Sequence, residues 1–148
     1  MNKFLIALGI LAFFLIGLGI WQSIKKSPTA EINNYSFKLY IAKTPKDQEI
    51  GLSKYKNLAK DMGMLFPFEK PDYYSFWMKQ MKFPIDIIYI KDGKIVTIYE
   101  SVKPPKSENE SLLIYKPKEP SNMVLEINAG LSGKYNLKEG DKVNLNNI

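Results

Sequence analysis

The hydrophobic pattern divides the chain into one uninterrupted apolar segment and a longer region where apolar and polar residues alternate. The apolar segment begins at Phe4 and ends at Trp21, and its sequence FLIALGILAFFLIGLGIW contains no charged residue. A helix rises about 1.5 Å per residue, so these eighteen residues would span roughly 27 Å, close to the hydrocarbon thickness of a thin bilayer. We therefore predict a single N-terminal transmembrane helix that holds the protein on a membrane.

A cleaved signal peptide is the alternative interpretation of this segment. The apolar region of a signal peptide is usually about 7–15 residues long, which is shorter than the run seen here. No clear small-residue cleavage site follows Trp21, and the chain has no cysteine that could receive a lipid. We therefore expect residues 1–27 to be a retained anchor with its flanks. The short N-terminal tail favours a cytoplasmic amino terminus, which would place the rest of the chain outside the cytoplasm.

The remainder of the chain is interpreted as a polar linker, residues 28–34, followed by a globular domain, residues 35–148. Short runs of β-branched and aromatic residues there are separated by Pro and Gly turns. The predicted strands or extended segments are residues 35–42, 63–68, 75–78, 85–90, 94–100, 123–128 and 142–145. This pattern predicts a mainly β fold, a small β-sandwich or jelly-roll-like barrel with one or two short helices.

Two local motifs are the most specific of these signals. Lys91-Asp92-Gly93 lies between two apolar runs, which is typical of a β-hairpin. Thr44-Pro45 followed by Asp47 has the residues expected at a helix start, namely an N-cap, a proline in the first turn and an acid. A further helical turn is predicted within residues 129–135.

The composition removes most enzyme classes. The chain has no His and no Cys, and all 21 basic residues are Lys. This excludes an imidazole base, a thiolate nucleophile and a tetrahedral zinc site, so we expect no metal and no cofactor. The net charge of +6 comes from lysines scattered singly along the chain, and we interpret it as a solvated surface rather than a nucleic-acid interface.

The order of several short motifs gives a family resemblance. The motifs are GLSKYKNL (51–58), GMLF (63–66), FWMKQMKFPIDIIYI (76–90), VLEINAG (124–130) and GD (140–141). Together they resemble the prokaryotic family named domain of unknown function 192, over about residues 36–145. The resemblance implies a compact β-sandwich or jelly-roll-like barrel with short helices and a location outside the cytoplasm. It implies no particular activity.

Four polar residues on predicted strands and turns are candidate site residues: Asp86, Glu126, Asn128 and Asp141. Strand alternation places Asp86 with Ile88 and Ile90, and it places Glu126 and Asn128 with Val124. Three interpretations remain open for this set. The residues could satisfy backbone amides and cap turns, they could bind a sugar or a hard cation, or Asp86 and Glu126 could hydrolyse a glycosidic bond as a carboxylate pair.

The aromatic stretch around Trp77 suggests a second kind of site. Its large apolar residues are Tyr73, Tyr74, Phe76, Trp77, Met78, Met81 and Phe83. Most of them are expected in the core, and Trp77 is the one most suited to stack on a sugar ring or grip a peptide. The sequence therefore favours a membrane-anchored, extracytoplasmic binding or accessory domain for cell-envelope glycan or peptide. A carboxylate-dependent hydrolase using Asp86 and Glu126, or a scaffold for a membrane complex, are the alternatives.

Overall fold

The computed structural model describes residues 26–107 and 109–148, and most of the regular structure there is β-strand. The elements are β1 (Thr29–Ile32), β2 (Tyr35–Ile41), α1 (Pro45–Ile50), β3 (Met62–Asp72), β4 (Ile85–Lys91), β5 (Lys94–Val102), β6 (Ser121–Asn128), α2 (Leu131–Lys134) and β7 (Asn144–Asn146). One turn of 3-10 helix, Gly51–Lys54, directly follows α1. The predicted mainly β fold with short helices is confirmed.

The two specific local motifs form the predicted structures. Asp92 and Gly93 adopt φ angles of 49° and 74°, and these left-handed conformations are the ones required by a tight hairpin turn between β4 and β5. The Thr44 hydroxyl accepts a hydrogen bond from the Asp47 backbone N–H at 3.1 Å. Because Pro45 occupies the first turn and has no N–H group that needs an acceptor, α1 begins at the predicted position.

The prediction that residues 28–34 are a linker is wrong, because they contain strand β1. Ala30 and Ile32 of this strand are buried, while Glu31 between them is exposed. The strand pairs antiparallel with β2 on one side and with β7 on the other. Four residues with every second side chain polar give too short a pattern to identify a strand from sequence. The globular domain therefore begins with β1.

All seven strands belong to one mixed sheet with the order β5-β4-β6-β3-β2-β1-β7. Only β2 and β3 pair in parallel. The two edges of the sheet approach each other, since Lys94 forms a β-bridge with Lys142 and the Val143 N–H donates to the Gly93 carbonyl at 2.8 Å. The sheet thus curls into a half-barrel. The two facing sheets of a sandwich do not form, because the chain end returns to the edge of β5 instead of starting a second sheet.

Both faces of this sheet are covered by other parts of the chain. One face contributes Ile88 and Leu125 to a first core, which is closed by α2 and the segment leading to β7. The opposite face contributes Ile87, Phe66 and Val124 to a second core, under the 3-10 turn and the segment between β3 and β4. Every residue from 85 to 90 is consequently buried, which explains why β4 reads as a continuous apolar run broken only by Asp86.

Asp86 lies in β4 on the first-core face and is fully buried. Its Oδ1 accepts hydrogen bonds from the backbone N–H groups of Ser101, at 2.7 Å, and Gly130, at 2.9 Å. Its Oδ2 accepts from the N–H of Ser132 at 2.7 Å. Three donors satisfy the carboxylate in the absence of water and connect β4 to a bulge in β5 and to α2. Asp86 is therefore a structural residue.

In the part of the chain that the structure describes, no helix combines the length and apolarity needed to cross a bilayer. The predicted transmembrane helix at residues 4–21 lies outside the described residues.

Replacing Asp86 by Asn should lower the free energy of unfolding by about 3 kcal/mol, because one amide oxygen cannot serve three buried N–H donors. Urea denaturation of the full-length chain in a nonionic detergent at pH 7 measures this loss. The matched control is Asp61→Asn, which removes only the exposed ion pair with Lys38 at 2.9 Å and should leave the midpoint nearly unchanged, because solvent screens such pairs. Equal midpoints for the two variants would contradict the structural role of Asp86.

Candidate functional site

The structure brings together two of the five predicted site residues, Trp77 and Glu126. Both line one pocket on the second-core face of the sheet, with a volume of about 220 Å³. Asp86, Asn128 and Asp141 are not part of it. These three residues all make hydrogen bonds that hold loops and turns in place. This agrees with the interpretation that they satisfy backbone groups and cap turns.

The third interpretation, a hydrolytic pair of Asp86 and Glu126, is inconsistent with the register between β4 and β6. Asp86 is paired with Ile127, and Glu126 is paired with Ile87. Paired residues on antiparallel strands project to the same face, and consecutive residues project to opposite faces. The two carboxyl groups therefore lie on opposite faces of the sheet. A hydrolase that uses them as a carboxylate pair is excluded by this arrangement.

Asn128 and Asp141 each organise the backbone near them. The Asn128 side-chain amide donates to the carbonyl oxygens of Leu58 and Ala59, at 3.1 and 3.0 Å. The Asp141 carboxylate accepts from the Asn33 side chain at 2.6 Å and from the Lys138 N–H at 3.0 Å. Asp141 thus stabilises the turn that returns the chain to the edge of β5.

The pocket lies between two segments that cross the second-core face of the sheet. α1 and the 3-10 turn form one wall, residues 74–81 form the other, and β3 and β6 form the base. The Gln48 side chain fixes the first wall, because its amide donates to the Ala42 and Pro67 carbonyls at 3.2 and 3.1 Å. The Phe76 backbone fixes the second wall through a two-way bridge with Tyr115.

Aromatic rings make these walls rigid. Phe68 and Tyr74 are stacked with ring centroids 3.6 Å apart and an interplanar angle of 11°. Phe76 meets Phe66 edge to face at 5.0 Å. Trp77 is 44% exposed and therefore presents much of its ring to solvent beside this wall. Such an arrangement offers flat apolar surfaces to a ligand at little cost in side-chain entropy.

Glu126 provides the only ionisable group at the base of the pocket. Its side chain is 5% exposed, and burial raises the pKa of its carboxyl to about 8. Among residues 26–107 and 109–148, no side chain or backbone group forms a hydrogen bond or ion pair with this carboxyl, and its oxygens open onto the pocket instead of being enclosed in the core. At neutral pH Glu126 is therefore mainly a neutral acid whose polar atoms have no protein partner.

The other charged residues that line the pocket are Glu49 and Lys79, and both are exposed. A wider groove of about 470 Å³ runs between β5 and the segment 103–115, but its charged residues, such as Lys103, Lys106 and Glu110, also face solvent. The pocket around Glu126 has a buried acid in its lining that has no protein partner among the described residues, so it is the candidate functional site.

Sequence reasoning identified Trp77 and Glu126 but missed the rest of the pocket. Leu52 and Phe68 contribute to its walls from elements far apart in the chain. Phe76 was assigned to the core, and it both packs on the second core and lines the pocket. No periodicity marks these residues as pocket residues, because the pocket depends on how two crossing segments pack over the sheet.

Chemically, the pocket can bind a ligand group. It contains one buried acid, apolar walls and aromatic faces. The other carboxyl that lines it, Glu49, is exposed.

Replacing Glu126 by Gln should stabilise the protein, and the gain should grow with pH. The folded-state pKa of about 8 lies above that of the unfolded chain, so the folded state binds a proton more tightly. Stability is therefore lost as pH rises from about 4.5 to 8 in the wild type, and Gln does not titrate. One unit of pKa difference is equivalent to about 1.4 kcal/mol. The gain in the free energy of unfolding should therefore reach up to roughly 5 kcal/mol above pH 8 and vanish near pH 4.

Thermal melting of the full-length chain between pH 4 and pH 9 checks this dependence. Glu139→Gln is the matched control, because Glu139 forms an exposed pair with Lys118 and its replacement should not produce the same trend. If the stability difference between Glu126→Gln and wild type stays constant with pH, burial does not raise the pKa of the Glu126 carboxyl.

Two solved structures resemble this fold closely. A protein of unknown function from Novosphingobium aromaticivorans DSM 12444 is 29% identical with a TM-score of 0.68, over 82% of this chain and 89% of that one. A candidate transcription regulator from Sinorhizobium meliloti 1021 is 27% identical with a TM-score of 0.71, over 85% of this chain and 99% of that one. Both similarities extend across nearly the whole described domain.

Among curated proteins, none matches this chain significantly. The sequence signature of domain of unknown function 192 (DUF192), described as an uncharacterized ACR, matches residues 28–145. The match begins just before β1 and ends within β7, so it covers the complete curled sheet and the pocket. The chain therefore belongs to the DUF192 family.

Proposed function

We propose that this protein is a membrane-anchored binding domain that recognises a cell-envelope peptide or glycan through the pocket around Trp77 and Glu126. The observation that supports this most strongly is the unpaired carboxyl of Glu126 at the base of a rigid aromatic pocket. Buried polar groups are normally hydrogen-bonded, and leaving one without a partner costs stability. A ligand that supplies the missing partner accounts for the position of this acid.

The size of the pocket limits what can enter it. A volume of about 220 Å³ is below the roughly 300–1,000 Å³ of pockets that enclose a whole drug-sized ligand. It suits one side chain or one ring of a larger molecule, with the rest of that molecule lying across the surface beside Trp77. A polymer of the cell envelope has this form, since it presents the same small groups repeatedly.

The proposed location rests on the sequence of residues 4–21. Their length and apolarity favour a membrane anchor, and the short preceding tail favours export of the domain. A tethered domain outside the cytoplasm has the envelope within its reach. Its weak individual contacts would be strengthened by the high local concentration of a repeating polymer.

A scaffolding role is favoured by a different observation. Three consecutive apolar residues, Leu112, Leu113 and Ile114, are exposed, and Leu113 is 71% accessible. Apolar patches on a surface often mark contacts with another protein. If scaffolding is the function, Leu113→Ser should abolish capture of membrane partners by the full-length chain, whereas unchanged capture would argue against it.

Replacing Trp77 by Ala should reduce binding to purified peptidoglycan about tenfold, as is common when an aromatic anchor is truncated. Co-sedimentation of the full-length chain with insoluble peptidoglycan, in nonionic detergent, measures the bound fraction. Tyr73→Ala is the matched control, because Tyr73 is 51% exposed in the same segment and does not line the pocket. Absence of wild-type co-sedimentation, or an equal loss in both variants, would refute the proposal.

A further inference from the structure

The residues that line the pocket include two acids and one basic residue. Glu126 and Glu49 line it, and Lys79 is the only lining cation. Within residues 26–107 and 109–148, Lys79 forms no ion pair with either acid. The whole chain has a net charge of +6, so lysines are in excess over acidic residues. In the described residues none of these lysines pairs with Glu126. The position beside the Glu126 carboxyl is therefore open to a cationic group of a ligand.

Most of the surface that lines the pocket is apolar. Leu52, Phe66, Phe76 and Met81 line the pocket together with Glu126. A group that packs against these side chains and carries its polar atoms at its tip fits this surface. A lysine side chain has this form, because a methylene stem carries an ammonium head. A sugar has hydroxyl groups around its ring, and apolar walls would leave several of them without hydrogen-bond partners.

The aromatic rings add attraction for a positive charge. Trp77, Tyr74 and Phe68 line the same pocket, and the faces of such rings attract cations within about 6 Å of their centroids. The attraction is greater for a cation that loses part of its hydration on binding. Two independent interactions therefore favour a cation in this pocket: pairing with the Glu126 carboxylate and attraction to the faces of the aromatic rings.

We infer that the group bound in this pocket is a primary ammonium at the end of an apolar stem, contributed by a peptide of the cell envelope. The inference rests on the proposed function, because it names the class of ligand for the same pocket. The ammonium donates hydrogen bonds to the Glu126 carboxylate, and the stem packs against Phe76 and Leu52. A glycan is thereby disfavoured relative to a peptide with a free side-chain amine.

Binding of an ammonium is coupled to the loss of one proton. Glu126 enters the reaction mainly as the neutral acid and leaves it as a carboxylate paired with the ammonium, and its proton goes to solvent. With a pKa of about 8, the ionised fraction rises from about 1% at pH 6 to about one half at pH 8, so affinity should increase about fiftyfold. The other titratable groups that line the pocket are Glu49 of α1 and Tyr74 and Lys79 of the second wall. Tyr89 of β4 does not line it but lies close enough to Glu126 to interact with it electrostatically.

Titration of the full-length chain with n-butylammonium, followed by the NMR signal of the Trp77 indole N–H, tests this inference. n-Butanol is the neutral probe of nearly the same shape. We expect n-butylammonium to bind about fiftyfold more tightly at pH 8 than at pH 6, and n-butanol to bind weakly without this pH dependence. Glu126→Gln should remove the preference for the ammonium, and Glu139→Gln should retain it.

Two results would overturn the inference. Equal binding of both probes, unaffected by pH or by Glu126→Gln, would mean that the pocket accepts ligands without preferring a cation. Absence of any n-butylammonium effect on Trp77 in the wild type would mean that no ammonium binds there. Peptidoglycan whose free amines have been acetylated separates the two claims. If untreated peptidoglycan binds and acetylated peptidoglycan binds equally well, the ammonium inference is wrong and the proposed function still stands. If untreated peptidoglycan does not bind, the proposed function is wrong.

Discussion

Burial of the sheet on both faces is the constraint on which the rest of this structure depends. β4 and β6 have no side exposed to solvent, so each polar side chain on them must find a partner inside the protein or remain without one. The two acids of these strands have opposite outcomes. Asp86 accepts three backbone hydrogen bonds and joins β4 to β5 and α2. Glu126, on the other face, lies at the base of a pocket with no protein partner in the described residues.

This contrast separates the structural acid from the functional one. A strand position opposite Ile87 could hold Val or Leu and would enlarge the second core. Glu126 instead brings a carboxyl whose pKa is raised by burial, at a cost to stability above about pH 4.5. Residues that reduce stability without serving the fold are expected at functional sites. The aromatic walls around Glu126 support the proposal that the pocket recognises a small group.

The features that could be predicted from the sequence are those set by residues close together in the chain. The hairpin at Asp92-Gly93 and the helix start at Thr44 are defined by residues close together in the chain, and both are confirmed. Strand alternation also assigned Asp86 and Glu126 to the correct neighbours on their own strands. Whether the two carboxyls lie on the same face of the sheet depends on the register between β4 and β6, which alternation within one strand does not specify. The pocket was unpredictable for a related reason, since segments distant in sequence form its walls.

We infer that the Glu126 carboxyl has no protein partner until a ligand binds. Titration of this carboxyl in the full-length chain, followed by the ¹³C NMR signal of its carbon, tests this inference most directly. We expect a midpoint near pH 8 in the free protein, because desolvation disfavours the carboxylate. A midpoint in the ordinary glutamate range, about pH 4 to 5, would mean that the carboxyl is already solvated or paired, and would contradict the proposed role of Glu126.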